Sequence, residues 1–286
     1  MTTRRHLLAL PALLALPSCA QPVAEARAAA GAPALEINPA GSNQAGLSQG
    51  GLALGRAAPG SRVTLDGKPV QVAPDGRFAL GFARDAGPQA RVVATAPGGA
   101  SETRDLAIAP REWDIARLNG LPPSMVSPNA QQLARINAER KRLAAVRAVD
   151  SDLPFFAEPF IWPARARISG VYGSQRILNG EPRAPHLGLD IAAPTGTPVA
   201  AMGGGRVLLA MPLYFTGNTV ILDHGHGVTT LYAHLSAMDV AEGEAVRQGQ
   251  RIGAVGATGR VTGPHLHLGL NWLSTALDPA PVLPSM

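Results

Sequence analysis

Val220-Ile-Leu-Asp-His-Gly-His-Gly-Val-Thr-Thr-Leu-Tyr-Ala-His-Leu235 consists of two apolar, β-branched runs around a glycine-rich break. Val220-Ile-Leu222 and Val228-Thr-Thr-Leu231 read as strands. Asp223-His-Gly-His-Gly227 reads as the hairpin turn between them, since Gly and Asp tolerate the backbone that a tight turn demands. From Ile161 to Pro284 the chain continues in this style, as short β runs broken by Gly-Pro turns. Composition agrees: Gly 32 and Pro 26 are too many breakers for a helical chain of 286 residues, and 4% aromatics leave the cores to Val, Leu, Ile and Ala. The fold class that follows is mainly β.

Working back toward the N-terminus, residues 46–110 repeat a shorter pattern. Arg62-Val-Thr-Leu65 leads into Asp66-Gly67, Pro74-Asp75-Gly76 precedes Arg77-Phe-Ala-Leu80, and Arg91-Val-Val-Ala-Thr95 precedes Pro97-Gly98-Gly99. Alternating strands with Asp-Gly turn signals predict a small Ig-like β-sandwich. It holds no histidine and no cluster of acids, so it reads as a spacer or binding module. Residues 111–158 form a linker. Ser127 caps and Pro128 opens a helix over 127–149, with Ile136, Leu143 and Val146 at helical spacing. Residues 20–45, rich in Ala, Pro and Gly, read as a flexible tether.

The first nineteen residues read as an export signal: Arg4-Arg5, an apolar run from Leu7 to Leu16, then Pro17-Ser18-Cys19-Ala20. The run is too short for a permanent span, and Arg4-Arg5 resembles a twin-arginine signal. Two processing readings compete. Lipidation of Cys19 would attach the chain to the outer membrane, whereas cleavage after Ala20 would release it. Either places the protein in the cell envelope, in the periplasm or on the inner face of the outer membrane. Cys19 is the single cysteine, so no intramolecular disulfide exists. The net charge of +5 favours an anionic partner, but the cations are scattered and not interleaved with aromatics, which argues against nucleic acid. Oligomeric state is not encoded in these patterns.

Six of the seven histidines follow Ile161, in His186-Leu-Gly-Leu-Asp190, Asp223-His-Gly-His226, Leu231-Tyr-Ala-His234 and Gly263-Pro-His265-Leu-His267. Zinc favours imidazole nitrogen and carboxylate oxygen, and a catalytic site keeps an open position for water. Two His and one Asp leave such a metal positive enough to acidify that water. Residues i and i+2 of a strand share a face, so His265 and His267 project together; one binds metal and the other stands by for proton transfer. Gly188 and Gly263 let backbone pass close to the site.

The order of motifs is more specific still. Gly170-Val-Tyr-Gly173, His186-Leu-Gly-Leu-Asp190, Ala192-Ala-Pro-Thr-Gly-Thr-Pro-Val199, Val220-Ile-Leu-Asp-His224, Thr230-Leu-Tyr-Ala-His-Leu-Ser236, Val246-Arg-Gln-Gly-Gln-Arg-Ile-Gly253, Gly256-Ala-Thr-Gly259 and Thr262-Gly-Pro-His-Leu-His267 occur in sequence. In this the chain resembles the lysostaphin-like zinc endopeptidases of peptidoglycan. The resemblance implies a metallopeptidase domain over 159–284, an antiparallel β fold of duplicated-hybrid or barrel-sandwich type whose groove holds one Zn2+ per chain. It implies His186, Asp190 and His267 as ligands and His234 and His265 as catalytic residues. His265 would take the proton of the attacking water and His234 would donate to the oxyanion, or the two would exchange these roles. The implied substrate is the peptide cross-link of the bacterial wall, in diderms mostly between D-alanine and meso-diaminopimelate. Members that have lost their ligands act instead as non-catalytic wall-binding regulators of other hydrolases.

Other residues in these motifs have plainer readings. His224 reads as structural and His226 as an exposed turn residue. Tyr172, Asn179 and Arg183 are placed in the groove or in core and loop. Trp162 and Trp272 read as packing residues.

Overall fold

Among the described residues seven short strands come first: β1 (Glu36–Pro39), β2 (Leu52–Arg56), β3 (Arg62–Leu65), β4 (Lys68–Val70), β5 (Arg77–Gly81), β6 (Gln89–Thr95) and β7 (Ser101–Ala107). They are seen in a computed structural model that describes residues 35–41, 46–119 and 127–286. Residues 1–19, read above as an export signal, and with them Cys19, lie outside the described residues. The strands form two antiparallel sheets, ordered β1-β2-β5 and β4-β3-β6-β7. Phe78 and Leu80 from one sheet and Val63, Val92 and Ala94 from the other meet in a single core, which makes the unit a sandwich. At the β3–β4 hairpin Asp66 and Gly67 both have positive φ, 49° and 78°, as a two-residue turn requires. β1 falls inside the stretch read as a tether: Leu35 and Ile37 alternate into the core, a pattern hidden by the Ala/Pro-rich surroundings.

Among its described residues the linker contributes β8 (Ile115–Leu118), an α-helix, α1 (Ala130–Arg147), and a short 3-10 turn at Pro154–Ala157. The helix starts later than expected because Asn129, not Ser127, is the cap. Its side chain accepts from the Gln132 backbone N–H at 2.9 Å, and the Gln132 side chain accepts from the Asn129 N–H at 2.9 Å.

The remaining strands are β9 (Arg167–Gly170), β10 (Gln175–Leu178), β11 (Glu181–Arg183), β12 (Leu189–Ala192), β13 (Pro198–Ala200), β14 (Gly205–Leu213) and β15 (Gly217–Gly225). Then come β16 (Val228–Leu235), β17 (Ala237–Met238), β18 (Ala245–Val246), β19 (Arg251–Ala254), β20 (Leu266–Trp272) and β21 (Thr275–Leu277). The principal sheet runs β18-β14-β15-β16-β20-β12-β9, with β21 on β20, and every pairing in it is antiparallel. The hairpin at its centre is β15–β16. It is buried on both faces, which explains its near-continuous apolar run. Val220, Leu222 and Tyr232 enter the main core; Ile221, Leu231 and Ala233 lie under Leu143 and Val146 of α1.

Trp272 packs against both the sandwich core and the main core. Gly81 of β5 lies so close that a Cβ there would sit 2.7 Å from the Trp272 Cβ. The sandwich therefore rests directly on β20. Parallel pairing of β8 with β10, together with the β10–β11 hairpin, makes a separate three-stranded sheet.

Candidate metal centre and cleft

Strand register assembles the site. Gly170 of β9, Asp190 of β12, His267 of β20 and Ala233 of β16 are successive cross-strand partners, so they form one row over four strands. Asp190 and His267 stand opposite each other, and the small residues at either end leave them room. A Cβ at position 170 would lie 2.5 Å from Asp190 Oδ2. His186 arrives from the segment before β12, pinned by two backbone bonds to the turn after β9: Gly173 N–H donates to His186 O at 2.7 Å and His186 N–H to Ser174 O at 2.8 Å.

Three atoms converge. His186 Nε2 is 3.0 Å from His267 Nδ1 and 3.0 Å from Asp190 Oδ1, and His267 Nδ1 is 2.8 Å from Asp190 Oδ1. His186 Nδ1 lies 3.0 Å from the Val171 carbonyl, which can only accept, so that nitrogen carries the proton and Nε2 presents a lone pair. A carboxylate oxygen and two ring nitrogens this close must share either protons or a cation. Among the described residues these three form the one group of His, Cys, Asp and Glu whose donor atoms are close enough to hold a metal. Burial alone raises the Asp190 carboxyl, but the adjoining His186 and His267 rings outweigh it and hold the group well below the usual carboxylate range. Burial also pushes the His267 ring down despite Asp190.

His234 and His265 flank the three, with ring centroids 4.8 Å apart, and His234 is 5.9 Å from His267. Regular alternation would turn His234 away from the face Ala233 shares with His267. A left-handed φ of 62° breaks that alternation. Its Nδ1–H donates to Thr258 O at 2.8 Å, and His265 Nδ1–H donates to Gly263 O at 2.9 Å. Both rings thus offer a bare Nε2, and His265 Nε2 is 3.8 Å from Asp190 Oδ1. Burial first, then His267 and His265, push His234 down to about 3, so it is neutral at physiological pH.

A cleft of about 190 Å³ opens over the row, lined by Asp190, His234, His265 and His267 together with Ser169, Arg176, Phe215, Thr216 and Arg260. No motif in the sequence marks the last five. Arg176 and Arg260 carried no signal as scattered cations; only the pairing of β10 and the turn after Gly259 place them here.

Several expectations change. Gly263 has open space around it and serves through its carbonyl, whereas a Cβ at Gly188 would meet His267 Cε1 at 2.5 Å and Leu268 O at 2.6 Å. His226 is buried, not exposed: it caps the hairpin with φ 51°, its ring centroid 4.2 Å from that of Phe156. Tyr172 is a core residue whose hydroxyl donates to Ala276 O at 2.8 Å. Asn179, with φ 48°, forms the β10–β11 turn with Gly180. Arg183 lies outside the cleft lining. His224 is structural as expected, fully buried with Nδ1 donating to Gly204 O at 2.6 Å and Nε2 2.7 Å from Thr230 Oγ1. Trp162 donates to Pro284 O at 2.7 Å.

Comparison with known proteins gives four findings. The profile of Peptidase family M23 matches residues 184–279. Peptidoglycan DD-endopeptidase ShyA of Vibrio cholerae is 47% identical over 102 residues, 35% of this chain and 24% of that protein. The uncharacterised lipoprotein YgeR of Escherichia coli is 30% identical over 60% of this chain and 72% of its own length. The crystal structure of a Pseudomonas aeruginosa protein classed with peptidase M23 superposes with TM-score 0.64 at 28% identity, covering 82% of this chain and 93% of that one. The chain spans about a quarter of the length of the first curated relatives it matches.

Proposed function

The chain belongs to peptidase family M23, and on that premise we propose that it is a zinc-dependent endopeptidase hydrolysing the peptide cross-links of bacterial peptidoglycan. The observation that carries the proposal is the convergence of His186 Nε2, His267 Nδ1 and Asp190 Oδ1 at 2.8–3.0 Å on one side of an open cleft. A tetrahedral zinc with bonds of ~2.0–2.1 Å separates its donors by ~3.3 Å. The three atoms need to spread by only a few tenths of an ångström, and two nitrogens with one carboxylate oxygen suit that ion.

Zinc, when bound, supplies Lewis acidity and lowers the pKa of water toward ~7. Val171 O holds the His186 tautomer that faces a metal. His265, with a bare Nε2 near the Asp190 charge, takes the proton of the attacking water; the carboxylate stabilises the resulting cation. For His234 the hydrogen bonds favour a role other than donation to the oxyanion. A neutral ring whose Nδ1–H is committed to Thr258 O has no proton on Nε2 to give an oxyanion. It accepts from the attacking water instead and orients it. The protonated His265 is then the donor available to the departing amine.

The intact ligand set favours an enzyme over a non-catalytic regulator. The domain division at 159–284, export to the envelope and attachment through Cys19 belong to the same proposal, supported by the wall-acting relative and the lipoprotein relative. The test is incubation with purified peptidoglycan and chromatography of the muropeptides. Loss of cross-linked dimers, blocked by a chelator, is the expected result. Dimers that persist with zinc present would refute the proposal.

A further inference from the structure

Two of the three candidate ligands are placed by sheet register, and the third is not. Asp190 and His267 face each other across the β12–β20 ladder, whereas His186 lies before β12 begins at Leu189. A ligand outside a ladder needs other contacts to hold its ring within the ~0.5 Å that a working site tolerates. The turn between β9 and β10 supplies them as a clasp. Val171 O accepts from the His186 ring at 3.0 Å, Gly173 N–H donates to His186 O at 2.7 Å, and Ser174 O accepts from His186 N–H at 2.8 Å. Gly173 has a φ of 87°, so the clasp is a turn and must itself be held from outside.

Much of that hold comes from the N-terminal half of the chain. Arg84 stands in the β5–β6 turn of the sandwich, and its Nε–H donates to Gly173 O at 2.7 Å. Gly173 therefore takes a hydrogen bond from the sandwich on its carbonyl while its N–H holds His186. The Arg84 side chain is 15% exposed, and it also pairs with the exposed Asp85 at 2.6 Å. Its guanidinium carbon lies 5.0 Å from the centroid of Trp113. A planar fork of five donors can serve a carbonyl, a carboxylate and a ring face together. Trp113 in turn meets the Tyr172 ring edge-on at 5.7 Å and fills the space that a Cβ on Gly173 would need. Asp114 O accepts from Gln175 N–H at 2.7 Å, which fastens the end of the turn.

We infer that Arg84 is a positioning residue of the metal centre: through it the sandwich holds the clasp that aims His186 Nε2 at the ion. The inference rests on the proposed peptidase reading for the identity of the metal and goes beyond it, because it gives the sandwich a task other than spacing or binding. Neither Arg84 nor the clasp lines the cleft. The effect therefore falls on metal affinity and turnover and spares substrate binding.

The test compares Arg84→Met, Arg84→Lys and Val63→Ala in the full chain. Methionine keeps an apolar stem and removes the donor; lysine can still donate to Gly173 O. Val63→Ala loosens the sandwich core, where Val63 is buried, without touching the clasp. In metal-stripped Arg84→Met, hydrogen exchange of the Gly173 and His186 amides should quicken. Its zinc affinity, read by competition with a chromophoric chelator, should fall about 10-fold, the low end of what partners of a metal ligand contribute. At saturating zinc kcat should fall with KM unchanged. Arg84→Lys should recover most of the zinc affinity, and Val63→Ala should lose stability in urea while keeping wild-type affinity and exchange at the clasp. Wild-type zinc affinity in Arg84→Met, an equal loss in Val63→Ala, or a defect confined to KM overturns the inference. A wild-type chain that binds zinc yet leaves peptidoglycan intact would sink the peptidase reading alone, because exchange and affinity are read without substrate.

Discussion

Replacing Gly188 with alanine tests whether packing against the backbone holds the ligand triangle. The added Cβ would stand 2.5 Å from His267 Cε1, 2.7 Å from His267 Nε2 and 2.6 Å from Leu268 O. Ordinary contact begins near 3.4 Å, so the imidazole must retreat by roughly 0.9 Å. The carbonyl cannot yield as easily, since Leu268 is the cross-strand partner of Leu189 in the β12–β20 ladder. Overpacking of this kind costs roughly 1–3 kcal/mol of stability. The larger effect falls on the metal: His267 Nδ1 must leave positions 2.8 Å from Asp190 and 3.0 Å from His186. We expect zinc affinity to fall by roughly 10- to 100-fold, and hydrolysis at saturating zinc to fall by roughly 100-fold, as a misplacement near 1 Å does. The assay is competition for zinc against a chromophoric chelator, with circular dichroism of the stripped protein to verify the fold. Gly263→Ala is the control, because a Cβ there meets nothing within 4 Å. Wild-type zinc affinity in Gly188→Ala, or equal losses in both variants, would refute the argument.

Other outcomes follow from single contacts. His265→Ala should keep its zinc and lose roughly 100- to 10,000-fold in turnover, read by metal analysis and kinetics on one preparation; loss of zinc would contradict the base assignment. Asn129→Ala removes the capping box of α1 and should cost roughly 0.5–2 kcal/mol in urea denaturation, with activity retained. His224 is fully buried, and burial pushes it down from 6.5 to about 4. A folded-state pKa below the unfolded value means that the unfolded chain binds the extra proton, so stability is complete above pH 6.5 and declines as pH falls toward 4. Between pH 7.5 and pH 5 the loss from this one group is about 2 kcal/mol. Denaturation midpoints of wild type and His224→Gln over that range should converge as the medium is acidified; parallel curves would contradict the linkage.

The sequence announced the fold wherever backbone and burial agreed. The β15–β16 hairpin, the Asp66-Gly67 turn and the apolar stripe of α1 each combine a turn or cap residue with a matching period. The three candidate ligands and two further histidines that the motif order singled out are brought together by the structure, His186, Asp190 and His267 within reach of one metal and His234 and His265 beside them. What escaped depends on contacts distant in sequence. Arg176 and Arg260 reach the cleft only through sheet pairing and a turn that no local period records. His226 looked exposed because a glycine-flanked turn usually is, but Phe156 and Gln71 cover it. His234 breaks strand alternation through a positive φ that propensity disfavours, and its Nδ1 is engaged by one distant carbonyl, Thr258 O. Leu35 and Ile37 were lost in an Ala/Pro-rich background until strand pairing with β2 revealed them.

Zinc titration of stripped protein on purified peptidoglycan bears most directly on the three-ligand site. The account predicts no cross-link hydrolysis in stripped wild-type protein, recovery in proportion to added zinc, and saturation at one equivalent per chain. His186→Ala and Asp190→Ala should stay inactive at that equivalent. Hydrolysis that persists without metal, or in either variant at wild-type rate, would contradict it.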